Sequence, residues 1–174
     1  MNTHKNAKPF IFGFAGWSGS GKTTLAEKII AKAAEDQITI STVKHAHHNF
    51  DADQEGKDSY RHRKAGAQQV LVASDKRMAL FTEKQVLKTP ELDDLLSRLD
   101  DVNWVLVEGF KKIALPKIEI YDPALSKDLL CETDKNIIAL VGQDPLPQCD
   151  LPSFHRDDVD SIYAFLKAQA QSIR

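Results

Sequence analysis

No stretch of this chain approaches the ~20 consecutive apolar residues that span a bilayer, so the sequence is read as that of a protein that stays out of the membrane. Cysteine is scarce. Cys131 and Cys149 are the only two, and they fall outside any CxxC spacing, which argues against a disulfide scaffold or a zinc ribbon. A reduced, cytoplasmic setting with both thiols packed is the expectation. An excess of either charge is also missing: 23 basic residues stand against 25 acidic ones, for a net charge of −2. That balance gives no global attraction to nucleic acid or to anionic lipid, so any anion site has to be built locally. There is no internal repeat and no low-complexity segment. The polar start MNTHKNAK leads straight into PFIFGFA, and this combination is not read as a signal peptide.

What remains is an ordinary globular composition, with 42% hydrophobic and 28% charged residues over 174 positions, expected to form a single domain across residues 1–174. Residues 9–15 form an apolar run ended by glycine, the mark of a buried strand. Leu25, Ile29 and Ala33 then recur at helical spacing, with Ala26 and Ile30 beside them, predicting a helix from about Thr23 to Glu35. ITISTVK (38–44) reads as a second strand, and SYRHRKAGA as a short basic helix ending near Gly66. VLVAS and RMALFT flank Asp75 and Lys76 as a hairpin over 70–82, expected to make the sheet mixed. Thr89-Pro90 marks a helix start, with threonine as the cap, and Leu92, Leu95, Leu96 and Leu99 give that helix one apolar face. Strands follow at 102–108, 117–121 and 136–141. DPLPQCDLPSFH, with three prolines, is expected to be irregular. A last helix from about Asp157 buries Val159, Ile162, Tyr163, Leu166 and Ile173. Apolar strands alternating with amphipathic helices predict an α/β fold, a mostly parallel sheet with helices on both faces.

The segment Gly16-Trp17-Ser18-Gly19-Ser20-Gly21-Lys22-Thr23-Thr24 matches GxxxxGK[ST] and lies between a strand and a helix, as a phosphate-binding loop requires. Glycines allow successive amide N–H groups to turn toward one anion. The helix that follows adds unpaired N–H groups and the positive end of its dipole. Lys22 is placed to reach the β- and γ-phosphates, and the Thr23 hydroxyl to serve Mg²⁺. A carboxylate at the end of another strand completes such a site, and VLVEGF offers Glu108. Asp100 and Asp101 are weaker rivals, because they precede that strand.

After the second strand come Lys44, His45, His47 and His48, then Asp51, Asp53, Lys57 and Asp58. Three readings stand side by side: a transition-metal site, a switch-like loop that senses an anion, and a solvated connection. Arg61, Arg63 and Lys64 on the short helix are either a solvated face or a contact to a phosphorylated ligand.

AGWSGSGKTTL, TVKHAHHNFDADQEGKDSYRHRKAGA and LVEGFK together resemble the MobB family, the molybdopterin-guanine dinucleotide biosynthesis adapter proteins. The resemblance runs from Phe10 to about Lys112, and the histidine-containing segment carries most of its specificity. It implies a P-loop fold, binding of GTP with Mg²⁺, weak GTPase activity and a homodimer. It further implies assistance to the MobA-type guanylyltransferase that joins GMP to molybdopterin, with the molybdopterin cofactor itself as a further candidate partner. Carried over by position, residues 16–24 hold the nucleotide, Thr23 and Glu108 serve Mg²⁺, and His45 to Asp58 form the switch-like segment.

Two things are missing from the site. The NKxD motif that many GTPases use to read guanine is absent. Thr133-Asp134-Lys135 is a fragment of it on the wrong side of a strand, and Gly142-Gln143-Asp144 is the nearest substitute. No glutamine follows VLVE to orient a water. Lys22, His45, Asp53 and Asp58 are the groups that could take part in hydrolysis, and slow turnover is the expectation. The alternative functions are a small-molecule kinase using ATP, disfavoured by the lack of arginine over 109–155, and a metal-delivering NTPase suggested by the histidines.

Overall fold

The computed structural model describes residues 8–46, 50–83, 90–110, 112–144, 146 and 149–172. His47, His48, Thr89 and Ile173, each given a part above, lie outside the described residues. By internal packing the chain divides into two units, Met1–His45 with Leu92–Arg174, and Ala46–Glu91.

In the first unit the apolar run becomes β1 (Phe10–Ala15), followed by α1 (Lys22–Glu35) and β2 (Ile40–Lys44). After the second unit come α3 (Leu92–Leu96), β5 (Trp104–Glu108), β6 (Lys117–Ile120), β7 (Ile137–Gly142), β8 (Ser153–His155) and α4 (Val159–Ser172). The strands form one sheet in the order β2-β5-β1-β6-β7-β8, and every neighbouring pair is parallel. All strands therefore end on the same edge, where open α/β sheets bind ligands.

Both faces of this sheet are covered. On one, Leu25, Ile29 and Ala33 of α1 and Ile162, Leu166 and Ala170 of α4 pack on Phe10, Phe12, Phe14, Trp104 and Ile118. Phe12 and Trp104 meet edge to face at 5.8 Å, a favoured geometry for aromatic pairs. On the other, Leu92, Leu95, Leu96 and Leu99 pack with Val43, Val105, Val107 and Leu115. The leucine stripe is thus a real face, although the helix itself closes at Leu96 and Leu99 follows in a turn.

Two expectations need correction. The main sheet is not mixed: the hairpin pairs antiparallel, as read, but forms a separate two-stranded sheet. Closeness in sequence to the other strands does not decide which sheet a hairpin joins. The proline-bearing segment is not wholly irregular either, since Ser153–His155 adds a short edge strand beside β7.

The long connection after β6 is held from below. Glu119 is fully buried on β6 and its two carboxylate oxygens accept from the Leu130 and Cys131 N–H groups at 2.8 and 2.9 Å. Burial first, and then the charge and hydrogen bonding of Glu119, push the Cys131 thiol up to about 11. Cys131 is therefore expected to be alkylated by iodoacetamide near about pH 8 more than ~10-fold more slowly than free cysteine, because the thiolate is the reactive form. Mass spectrometry of a timed reaction checks this.

The second unit contains α2 (Asp58–Lys64) and the hairpin β3 (Gln69–Ala73) and β4 (Met78–Thr82). Leu71 lies opposite Leu80, and Ala73 opposite Met78. Val70 is buried, whereas Leu71, Met78 and Leu80 are 60%, 70% and 52% exposed. One face of the hairpin is thus apolar and uncovered within the unit. Among the described residues, no helix is long and apolar enough to cross a membrane.

Candidate functional site

β1 stops at Ala15 and the chain turns sharply at Gly16, whose φ of 142° suits glycine alone. A Cβ there would stand 2.4 Å from the Ile120 carbonyl oxygen and 2.7 Å from Ser20 Oγ, too close for any side chain. Gly19 and Gly21 also have positive φ, at 85° and 96°, so the loop folds into a ring of main-chain groups. α1 begins directly at Lys22, with no side chain capping its first turn. The first-turn N–H groups and the dipole of a 14-residue helix therefore face the loop.

Lys22 arcs back over this ring. Its Nζ donates to the carbonyl oxygens of Gly16 at 3.0 Å and Trp17 at 2.7 Å. Ser20 is 1% exposed, and its Oγ has no hydrogen-bond partner among the described residues. A buried hydroxyl without a partner costs free energy, and here it sits inside the turn of the glycine loop. Ser18, Thr23 and Thr24 are exposed around the rim. The loop is braced from the far side: the Trp17 indole N–H donates to the Asp128 carbonyl at 2.9 Å, and Leu125 lies 3.8 Å from where a Cβ on Gly19 would stand.

Glu108 ends β5, and its neighbours in register are Phe14 of β1 and Lys44 of β2. The carboxylate thus stands one strand away from the loop on the same sheet edge. It is 13% exposed, and Lys44 Nζ approaches its Oε2 to 3.4 Å. The Thr23 hydroxyl and the Glu108 carboxylate are oxygen donors of the kind Mg²⁺ takes, one or two of them together with phosphate oxygens rather than a closed cage. His45 lies at the same end. Its N–H donates to the Glu108 carbonyl at 2.9 Å and its ring packs on Phe110 at 5.0 Å. Gly109 has to be glycine for this approach, because a Cβ would stand 2.7 Å from the His45 Cβ. Phe110 then carries a φ of 42°, an uncommon conformation for an aromatic residue.

The other candidates are placed differently. In the second unit, Asp53 accepts from Ser59 Oγ at 2.8 Å and from Arg63 Nη1 at 3.0 Å. Burial pushes its carboxyl up, but the bonds from Ser59, Arg63 and the Gln54 N–H together hold it below the usual carboxylate range. Asp58 is exposed at the start of α2, 3.8 Å from Arg61. Among the described residues no three His, Cys, Asp or Glu side chains gather where they could hold a metal ion. Asp134 lies just before β7 and bonds to Lys117 Nζ at 2.7 Å, on the sheet edge opposite the loop.

A residue that sequence reasoning missed is Arg156, one position past the arginine-free stretch 109–155. It follows β8, and its Nη1 lies 3.8 Å from where a Cβ on Gly21 would stand. A basic residue just after a strand that ends on the ligand edge was the available signal. It was hidden because β8 itself was not legible.

The sequence model of the family described as "Molybdopterin guanine dinucleotide synthesis protein B" matches residues 11–143. The chain is 43% identical over 138 residues to a molybdopterin-guanine dinucleotide biosynthesis adapter protein of Haemophilus influenzae, covering 78% of this chain and 76% of the relative. The Escherichia coli protein of the same name is 39% identical, with 90% of each chain covered. The crystal structure of Bacillus subtilis MobB superposes with a TM-score of 0.71 at 30% identity, over 91% of this chain and 96% of that one.

Proposed function

Since this chain belongs to the molybdopterin guanine dinucleotide synthesis protein B family, we propose that it binds GTP with Mg²⁺ and acts as an accessory protein in the making of molybdopterin guanine dinucleotide. Its partner in this reading is a MobA-type molybdopterin guanylyltransferase, with the molybdopterin cofactor as a further ligand of the complex. The observation that carries the proposal is the loop at residues 16–22: positive-φ glycines, a lysine arched over the ring and an orphaned hydroxyl inside it. Main-chain N–H groups at the start of α1 hold the phosphates. Lys22 supplies a point charge to the terminal ones. Thr23 and Glu108 hold the Mg²⁺, whose charge screens the phosphate oxygens and draws electron density from the terminal phosphorus.

Slow hydrolysis fits the same site. Phosphoryl transfer to water needs a group that orients the attacking molecule. The position after Gly109 is instead filled by Phe110, packed on His45. The chain therefore holds the triphosphate with a weak means of splitting it, which suits an adapter whose nucleotide occupancy sets its affinity for a partner enzyme.

A homodimer is part of the reading. Leu71, Met78 and Leu80 expose one continuous face of the hairpin, and an isolated two-stranded ribbon with such a face is marginal without something to cover it. The test is affinity capture of the guanylyltransferase by this protein, with Mg-GTP present and absent, alongside light scattering. Nucleotide-dependent capture by a protein of twice the chain mass is the expected result. Equal recovery under both conditions, or a stable monomer, overturns the corresponding part.

A further inference from the structure

The sheet gives the site a direction. Glu108, the cation end, lies on the β5 side of the loop, and β6, β7 and β8 lie on the other. A triphosphate whose terminal groups sit with Mg²⁺ near Glu108 carries its nucleoside away from β5, toward the ends of β6–β8. The groups gathered there are Tyr121, Asp122, Gly142 and Arg156.

Arg156 is fixed at both ends. Its backbone N–H donates to the Gly142 carbonyl at 2.7 Å, and Nη2 donates to the Tyr121 carbonyl at 3.1 Å. Nη2 is also 3.7 Å from Asp122 Oδ2. That carboxylate is itself held, since its Oδ1 accepts from the Ala124 N–H at 3.0 Å. The guanidinium has five N–H donors. Nε is buried without a partner among the described residues, Nη1 lies against Gly21, and the side chain is 23% exposed. With Nε enclosed, the donors left for a ligand are Nη1 and the second hydrogen of Nη2, a rigid fork beside the start of α1 on the nucleoside side.

Guanine answers this fork better than adenine. On its major-groove edge guanine presents two adjacent acceptors, O6 and N7, the commonest partners of a bidentate arginine. Adenine pairs the N7 acceptor with an N6 amino group, a donor that opposes a second N–H. We propose that Arg156 is the residue that reads the base: its guanidinium donates to O6 and N7 of guanine and so favours GTP over ATP, in a chain without NKxD. This rests on the nucleotide-binding reading of the loop and assigns the part of the ligand that the loop cannot distinguish. Lysine does not replace the fork, because an ammonium group is a point charge.

The test uses the full chain and three probes with Mg²⁺: GTP, ATP and inorganic tripolyphosphate, titrated into wild type, Arg156→Gln and Arg156→Lys. Both variants are expected to lose about 5- to 150-fold in GTP affinity, the range for one bidentate base contact, with ATP and tripolyphosphate unchanged. Wild type is expected to bind 7-deaza-GTP, which lacks the N7 acceptor, several-fold more weakly than GTP, a readout that requires no variant to fold. A wild-type GTP-to-ATP ratio in Arg156→Lys overturns the assignment. Parallel loss of all three ligands in both variants does so too, since it marks a phosphate contact or a structural role. Wild type that binds GTP and ATP equally well overturns Arg156 alone and leaves the loop reading standing. Wild type that binds none of the three overturns the loop reading as well.

Discussion

Lys22→Ala is expected to lower affinity for Mg-GTP by about 100-fold or more while leaving the unliganded fold in place. Hydrogen bonds to charged groups are worth ~1.5–3 kcal/mol each, and in the proposed site Lys22 makes two of them to the terminal phosphates. Losing both removes at least ~3 kcal/mol, and every ~1.4 kcal/mol is tenfold in affinity. The cost to the unliganded protein is smaller. The amine bonds there to two carbonyls of its own loop, and those groups recover water partners when the side chain is truncated. The packing of α1 depends instead on Leu25, Ile29 and Ala33, which the substitution does not touch. Titration calorimetry with Mg-GTP, paired with a thermal melt of the ligand-free variant, separates the two effects. Undiminished affinity would remove the loop from the nucleotide site.

What could be read from the sequence was whatever local signals determine. β1, the glycine loop and α1 form one continuous stretch, and periodicity, φ requirements and helix-terminus chemistry all point to the same structure there. Glu108 was legible for a similar reason: it is the last residue of a strongly apolar strand, and parallel strands end on one edge. Three features depended on distant parts of the chain. β8 is three residues long and is made by pairing with β7, so neither its length nor its composition announces a strand. Asp53 was grouped with the histidines as part of a metal site, a switch-like loop or a solvated connection, but its partners Ser59 and Arg63 lie on a helix whose contacts no spacing rule predicts. Arg156 gains its meaning from Gly21 and Tyr121, which are brought to it by the sheet. Side chains that act through tertiary neighbours are the ones a linear reading passes over.

Arg63→Ala is expected to loosen the unit Ala46–Glu91 as a whole. Arg63 is 13% exposed and holds three carboxylates: Asp51 at 2.7 Å, Asp53 at 3.0 Å and Glu83 at 2.6 Å. Its guanidinium also lies over the Phe81 ring at 5.2 Å. These partners tie the segment before α2, the helix itself and the end of β4 to one side chain. Val70 is the one buried hydrophobic side chain among the described residues of this unit, so little apolar burial stands behind the knot. Truncating the arginine leaves three negative charges close together, with Asp53 only 5% exposed. Removing one partner of a buried pair is far worse than never having had the pair. Arg63→Lys keeps a charge but not the fork, and an intermediate effect is expected. The same knot sets an acid limit. The bonds from Arg63 hold the Asp51 carboxyl below the usual range. In Asp53 burial acts upward, but the bonds from Ser59, Arg63 and Gln54 outweigh it. A depressed carboxylate stabilises the fold fully above its unfolded pKa and loses that contribution as pH falls through the folded value. Amide exchange across α2 and the hairpin should therefore stay slow near neutral pH and quicken, after correction for intrinsic rates, below about pH 4 in wild type. In Arg63→Ala it should be roughly tenfold faster already at neutral pH, with the acid step reduced. Exchange in the variant matching wild type at both pH values would show that the hairpin is held by something other than this arginine.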